Sequence, residues 1–223
     1  MTAKRLIDLC FAIPALIATL PIQMAVAVGI LVTMGRPVFF LQKRPGLHGQ
    51  PFTLVKFRTM TSHVDTEHFA TARVTQLGRW LRRASLDELP ELINVVKGDM
   101  SLVGPRPLLM EYLSLYSPEQ KRRHEVRPGL TGLVQVRGRN RLSWRKKFRY
   151  DLWYVENRSL ALDLYVLWLT LRQVAGGHGV DQSDTSTMEP FRGNTAEPGR
   201  GARQKDDAKE LRTSEPQMPR SRD

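Results

Sequence analysis

The sequence predicts an α+β fold, mostly helical, with a re-entrant N-terminal membrane helix, a short β hairpin and interfacial amphipathic helices. Three observations predict it. Leu9–Met34 is an uncharged apolar run interrupted by Pro14 and Pro21. Two short β-prone segments flank a Pro-Gly turn cluster at 45–49. The segment after Ser85 then places apolar residues at helical spacing.

The apolar run holds 26 residues. At about 1.5 Å per residue it would reach roughly 39 Å as a straight helix, enough for a ~30 Å hydrocarbon core. A true span is therefore one reading. The prolines favour another, because each deletes a backbone donor and crowds the preceding turn. Pro21 leaves two arms of roughly 18–20 Å, each too short to span. Basic residues flank both ends, with Lys4 and Arg5 before and Arg36, Lys43 and Arg44 after. A helix broken at Pro21 that enters and leaves on the cytoplasmic side keeps both groups out of the bilayer. The Thr19 hydroxyl or neighbouring helices would serve the freed carbonyls.

Val38–Phe40 and Phe52–Val55 are rich in aromatic and branched residues and predict the hairpin. Thr61–Thr75 reads as an exposed polar loop, and Leu77–Arg83 as a short helix. Ser85 and Glu88 have the spacing of a capping box. Leu86, Leu89, Leu92, Ile93 and Val96 form the apolar face of the helix that follows, with Gly98 as its end. Pro90 should distort the first turn. Ser117-Pro118 marks another helix start. Residues 143–155 interleave basic and aromatic side chains, and Leu160–Val174 is a second apolar run containing Asp163. Both read as helices on a membrane surface, with a soluble core helix as the alternative. The tail from 180 is too poor in branched apolar residues to form a core. The predicted divisions are a membrane anchor over 1–36, a catalytic domain over 37–179 and a disordered tail over 180–223.

The net charge is +12, and the tail contributes little to it: residues 180–223 carry 8 Lys/Arg and 9 Asp/Glu. The body is strongly basic and calls for an anionic partner: nucleic acid, anionic lipid or a phosphorylated substrate. Nucleic acid is the poorest of these, since no zinc-ligand pair or RNA-binding aromatic strand is present. Cys10 is the single cysteine and the five histidines are scattered. A disulfide framework, a zinc site and nucleophilic-cysteine chemistry are therefore not predicted.

Five segments carry chemistry, in order: Lys4-Arg5-Leu6-Ile7-Asp8, Lys56-Phe57-Arg58-Thr59-Met60, Ser85-Leu86-Asp87-Glu88-Leu89-Pro90, Gly104-Pro105-Arg106-Pro107 and Arg127-Pro128-Gly129-Leu130-Thr131-Gly132. Together they resemble the bacterial sugar transferases known as monotopic phosphoglycosyl transferases, of the small single-domain type. The resemblance runs from about Lys4 to Val174. It implies transfer of a sugar-1-phosphate from a UDP-sugar to polyprenyl (undecaprenyl) phosphate, with release of UMP and a requirement for Mg²⁺. It further implies an aspartyl phosphosugar intermediate, with Asp87 as nucleophile and metal contact beside Glu88. Pro21 corresponds to the family's membrane break and Asp163 to a recurrent acid. This chain departs from the pattern with Leu20 where a serine often precedes the break, and with the additional Pro14. The implied place is the bacterial inner membrane, catalytic domain toward the cytoplasm, at the first membrane step of glycan assembly (exopolysaccharide, O-antigen or glycoprotein).

The residue types suit this chemistry. Two anionic substrates and a carboxylate repel one another, and cations must offset that. Lys56, Arg82, Arg106 and Arg139 are the candidate phosphate or nucleotide contacts, because Arg forks match phosphate oxygens and Lys supplies a point charge. Asp163 joins them as a candidate site residue, with a buried ion pair as the alternative. Asp87 is expected near a helix N-terminus, where the dipole favours the anion. Glu88 taken alone is an ordinary capping residue. The expected partners are UDP-sugar, polyprenyl phosphate and membrane lipids, with no nucleic acid. The sequence leaves homo-oligomer formation and the identity of the sugar open. A non-catalytic membrane-surface adaptor would also explain the charge and the aromatics, but not the arrangement of Lys56, Ser85–Pro90 and Gly104–Pro107.

Overall fold

A computed structural model describes residues 2–62, 72–176 and 190–193. It is α+β and mostly helical. Helix α1 (Ala3–Met34) leads into an antiparallel hairpin of β1 (Phe39–Pro45) and β2 (Pro51–Phe57). Its register pairs Leu41 with Val55 and closes at Pro45 opposite Pro51, around the predicted turn cluster. Short strands β3 (Met60–Ser62) and β4 (Ala72–Val74) pair antiparallel within the stretch read as a loop, whose centre lies outside the described residues. Helices α2 (Gln76–Arg83) and α3 (Glu91–Lys97) follow. Strand β5 (Ser101–Val103) then pairs parallel with β6 (Gly129–Thr131). Between them lie a 3-10 turn at Met110–Ser114, α4 (Pro118–Lys121) and a 3-10 turn at Arg122–Glu125. Helices α5 (Leu133–Arg137), α6 (Trp144–Asn157) and α7 (Leu160–Ala175) complete the order.

Helix α1 does not divide at Pro21; one helix carries both Pro14 and Pro21. Pro21 still removes the donor that Ile17 would use. The Thr19 hydroxyl serves other carbonyls, at Ala15 (2.7 Å) and Leu16 (3.3 Å), and accepts from the Gln23 amide. Among the described residues α1 is the one helix long and apolar enough to cross a membrane. Yet both of its ends are fastened to one body. At the N-terminal end, Arg5 donates to the Val95 and Val96 carbonyls and so caps the end of α3. Asp8 accepts from the Ser101 hydroxyl and the Leu102 amide. At the other end, Val26 and Ile30 pack with Phe57 and Leu81, and Arg58 donates to the Met34 and Gly35 carbonyls.

The two later helices divide the roles predicted for them. Helix α6 turns Phe148, Asp151 and Tyr154 inward and leaves Arg145 and Arg149 exposed, as a core helix with a solvated basic side. Helix α7 exposes Leu160, Leu164, Trp168 and Leu171 at spacings of four, four and three, one apolar stripe. The stretch read as an unpacked tail lies mostly outside the described residues, but Phe191 within it is 5% exposed. Its ring meets Tyr112, Tyr116, Trp144 and Phe148, and its amide donates to the Tyr112 hydroxyl. A single large aromatic buries enough area to seat a segment otherwise poor in apolar residues. The described residues up to Phe191 form one compact unit.

Candidate active site

Lys56, near the end of β2, reaches two carboxylates one helical turn apart. Its Nζ lies 2.7 Å from Glu88 Oε1 and 2.9 Å from Glu91 Oε1. A guanidinium nitrogen of Arg106 donates to the same Glu88 oxygen. Asn94 sets this spacing. Its side chain accepts from the Val55 amide (3.1 Å) and donates to the Thr53 carbonyl (2.8 Å), which ties α3 to β2 beside Lys56.

The expected capping box does not form. Ser85 occupies the left-handed region (φ 55°) and makes no side-chain capping bond. Residues 86–88 form a 3-10 turn, Pro90 interrupts it, and the helix begins only at Glu91. Glu88 is therefore free to take charge-assisted bonds from Lys56 and Arg106, which are stronger than a neutral cap. Burial alone would raise the Glu88 carboxyl, but the two cations hold it well below the usual range. Asp87 lies in the first turn of this 3-10 helix, four residues before α3 begins at Glu91.

Asp87 is partly exposed, and among the described residues it has no ion-pair partner. Burial and then the Glu88 charge raise its carboxyl, against Lys56, Arg106 and Arg82. Arg82 is oriented by its Nε bond to the Thr59 hydroxyl (2.9 Å). Asp87 is thus an uncommitted carboxylate beside one that is fixed, within the field of three cations.

A family described as bacterial sugar transferase matches residues 1–177. The chain belongs to this family. It is 52% identical to the uncharacterized sugar transferase EpsL of Bacillus subtilis over 197 residues, which cover 87% of this chain and 98% of that protein. It is 38% identical to the exopolysaccharide production protein ExoY of Sinorhizobium fredii over 197 residues, 79% of this chain and 87% of that one. It is 40% identical to the UDP-glucose:undecaprenyl-phosphate glucose-1-phosphate transferase of Xanthomonas campestris over 190 residues. That match covers 79% of this chain and 39% of the longer relative.

Two of the residues singled out in this sugar transferase take no part in the Glu88 and Glu91 ion pairs. Arg139 lies in a 3-10 turn with φ 49°, and none of the ion pairs of Glu88 and Glu91 involves it. Asp163 is buried in the first turn of α7, 2.6 Å from both Lys4 Nζ and the Tyr154 hydroxyl. Lys4 also donates to the Val103 carbonyl, and the Tyr154 hydroxyl lies 3.0 Å from the same oxygen. Asp163 is therefore the centre of a brace joining α1, α6 and α7 to β5, with Lys4 as its ion-pair partner.

Sequence reasoning passed over Glu91. It is 2% exposed, and its Oε1 lies 2.9 Å from Lys56 Nζ without a well-aligned hydrogen bond. Burial, then the Glu88 charge, raises its carboxyl to about 7. Its position three residues after Glu88 was the available signal. Arg123 was also missed. It pairs with Asp151 (2.7 Å) and donates to the Arg106 carbonyl (2.7 Å), holding the backbone that presents Arg106. Both members of that pair are almost fully buried.

Proposed function

We propose that this sugar transferase moves a sugar-1-phosphate from a UDP-sugar to undecaprenyl phosphate, releasing UMP, by way of a covalent intermediate on Asp87. The observation that carries the reading is the contrast within one turn. Glu88 is neutralised by Lys56 and Arg106, while Asp87 keeps a free carboxylate in the same field. The names of the relatives from Xanthomonas campestris and Aeromonas hydrophila, the latter 36% identical over 187 residues, describe sugar-phosphate transfer to undecaprenyl phosphate.

In the first displacement an Asp87 oxygen attacks the phosphorus that bears the sugar. The bond from that phosphorus to the bridging oxygen breaks, and UMP leaves with the electron pair. In the second, an oxygen of undecaprenyl phosphate attacks the same phosphorus and the Asp87 carboxylate departs unchanged. Splitting the transfer means that the two bulky anions need not react directly with each other. Lys56, Arg82 and Arg106 offset the accumulating negative charge. Among the described residues no group of three His, Cys, Asp or Glu is arranged to hold a metal. Mg²⁺ suits a different arrangement, one or two carboxylates completed by substrate phosphates and water. Asp87 provides such a carboxylate, and a bound ion would supply charge neutralisation at the diphosphate.

The membrane part of the reading rests on α1. Its two ends, including the charged Lys4 and Arg5, are bound to the same body. A helix that dips into the bilayer and leaves Thr2 and Gly46 on the cytoplasmic side accords with that. The exposed stripe of α7 is suited to the same surface.

The test is UMP release from a panel of UDP-sugars in membranes supplied with undecaprenyl phosphate. One or a few donors should give UMP in the wild type and none in Asp87→Asn. No release from any donor would favour the membrane-surface adaptor.

A further inference from the structure

A small cleft, about 70 Å³ in volume, opens beside the Glu88 cluster, lined by Arg44, Leu54, Lys56, Glu91, Arg106, Pro107 and Leu108. Three of its side chains are cationic and one is acidic. Lys56 and Arg106 are engaged with Glu88. Arg44 is not engaged with any carboxylate: among the described residues none lies within ion-pair distance of it.

The Arg44 guanidinium is positioned but incompletely satisfied. One terminal nitrogen donates to the Gln42 side chain (2.6 Å) and the other makes a long bond to the Pro107 carbonyl (3.3 Å). Its Nε is buried with no partner. Burial, then the like charge of Arg106, makes its cationic form harder to hold. Leaving a buried donor unmade and two guanidiniums in each other's field both cost free energy. The apolar wall of Leu54, Pro107 and Leu108 strengthens the repulsion, because it keeps out the water that would screen it. A dianionic phosphate in the cleft would relieve the repulsion between the guanidiniums and give Arg44 and Arg106 a shared acceptor.

We infer that this cleft is a phosphate-ester subsite and that Arg44 is the residue that grips the ester. The sugar-1-phosphate transfer reading supplies the two candidate esters, the nucleotide and the prenyl phosphate. The geometry alone supplies the site. Arg44 sits at the end of β1, opposite Phe52 in the hairpin register, which fixes where the guanidinium enters the cleft.

The test is equilibrium binding of UMP and, separately, of farnesyl phosphate to the full-length protein in nanodiscs. Neither ligand turns over alone, so the result does not depend on whether Asp87 is the nucleophile. Arg44→Ala should raise the Kd for at least one ester by roughly ten- to a hundredfold, the range for loss of a charged hydrogen bond. Arg44→Lys should recover part of the loss. Weakening confined to UMP assigns the cleft to the donor, and weakening confined to farnesyl phosphate assigns it to the acceptor; both uphold a phosphate subsite. If Arg44→Ala fails to fold, Arg44→Gln keeps a donor for the Pro107 carbonyl without the charge, and the same loss is expected. A folded Arg44 variant without the guanidinium that binds both esters as the wild type does overturns the assignment.

Discussion

Glu88 and Glu91 share Lys56, yet their protonation is pushed in opposite directions. Glu88 is held ionised, so the stability it lends is present above its ordinary value of 4.5 and is lost as the pH falls below it. Glu91 behaves in the reverse sense. Between 4.5 and about 7 the folded protein holds a proton on Glu91 that the unfolded chain has lost. Stability therefore falls as pH rises through that window and is level above it. Thermal unfolding of the detergent-solubilised protein from pH 5 to 8 checks this. Glu91→Gln should gain on the wild type as pH rises, by at most roughly 3 kcal/mol; parallel curves would contradict it. The cations give a second test. Lys56→Ala, Arg82→Ala and Arg106→Ala should each lower turnover about ten- to a hundredfold, by the worth of a charge-assisted contact. Arg139→Ala should cost less, since Arg82, Lys56 and Arg106 are the cations whose charges act most on Asp87 and Arg139 is not among them. Lys56, Asp87, Glu88 and Arg106 were legible because they lie in short motifs. Glu91 and Arg44 were not, because an acid on a helix and an arginine in a hairpin are ordinary until the fold closes a cleft over them.

At the scale of elements, the hairpin, the end of α3 at Gly98 and the helix start at Ser117 all follow from local turn chemistry, and they were legible for that reason. The start of α3 was misread because the Ser85–Glu88 spacing matches a cap whose backbone conformation the chain does not adopt. Pro21 lies within one continuous helix because a proline costs a helix one hydrogen bond, and a long apolar helix can bear that loss. Close backbone approaches explain two glycines, Gly78 outside the motifs and Gly129 within the Arg127–Gly132 segment. A Cβ on Gly78 would lie 2.0 Å from the Thr59 carbonyl oxygen, and one on Gly129 would lie 2.1 Å from the Gly104 nitrogen. The first contact lets α2 sit against residue 59, where Arg82 is anchored. The second lets β6 run beside β5, just before Arg106. Gly78→Ala should therefore destabilise the protein by about 1–3 kcal/mol through enforced backbone shifts. It should also lower turnover at temperatures where the fold persists. Unchanged thermal unfolding would show that the approach is not needed.

For the whole molecule, the question is how a basic body meets a membrane and two anionic substrates. The structure fastens both ends of α1 to that body and turns an apolar stripe of α7 outward. Single cysteines at Thr2 and Gly46, in a background lacking Cys10, should react with a membrane-impermeant thiol reagent from the same side. Labelling from opposite sides would mean a true span. The central claim is chemical, and intact mass measurement tests it most directly. Wild-type protein mixed with its UDP-sugar in the absence of lipid acceptor, then quenched rapidly, should gain the mass of one sugar phosphate on the peptide that contains Asp87. Undecaprenyl phosphate should discharge it. No adduct, or an adduct on another residue, would contradict the account.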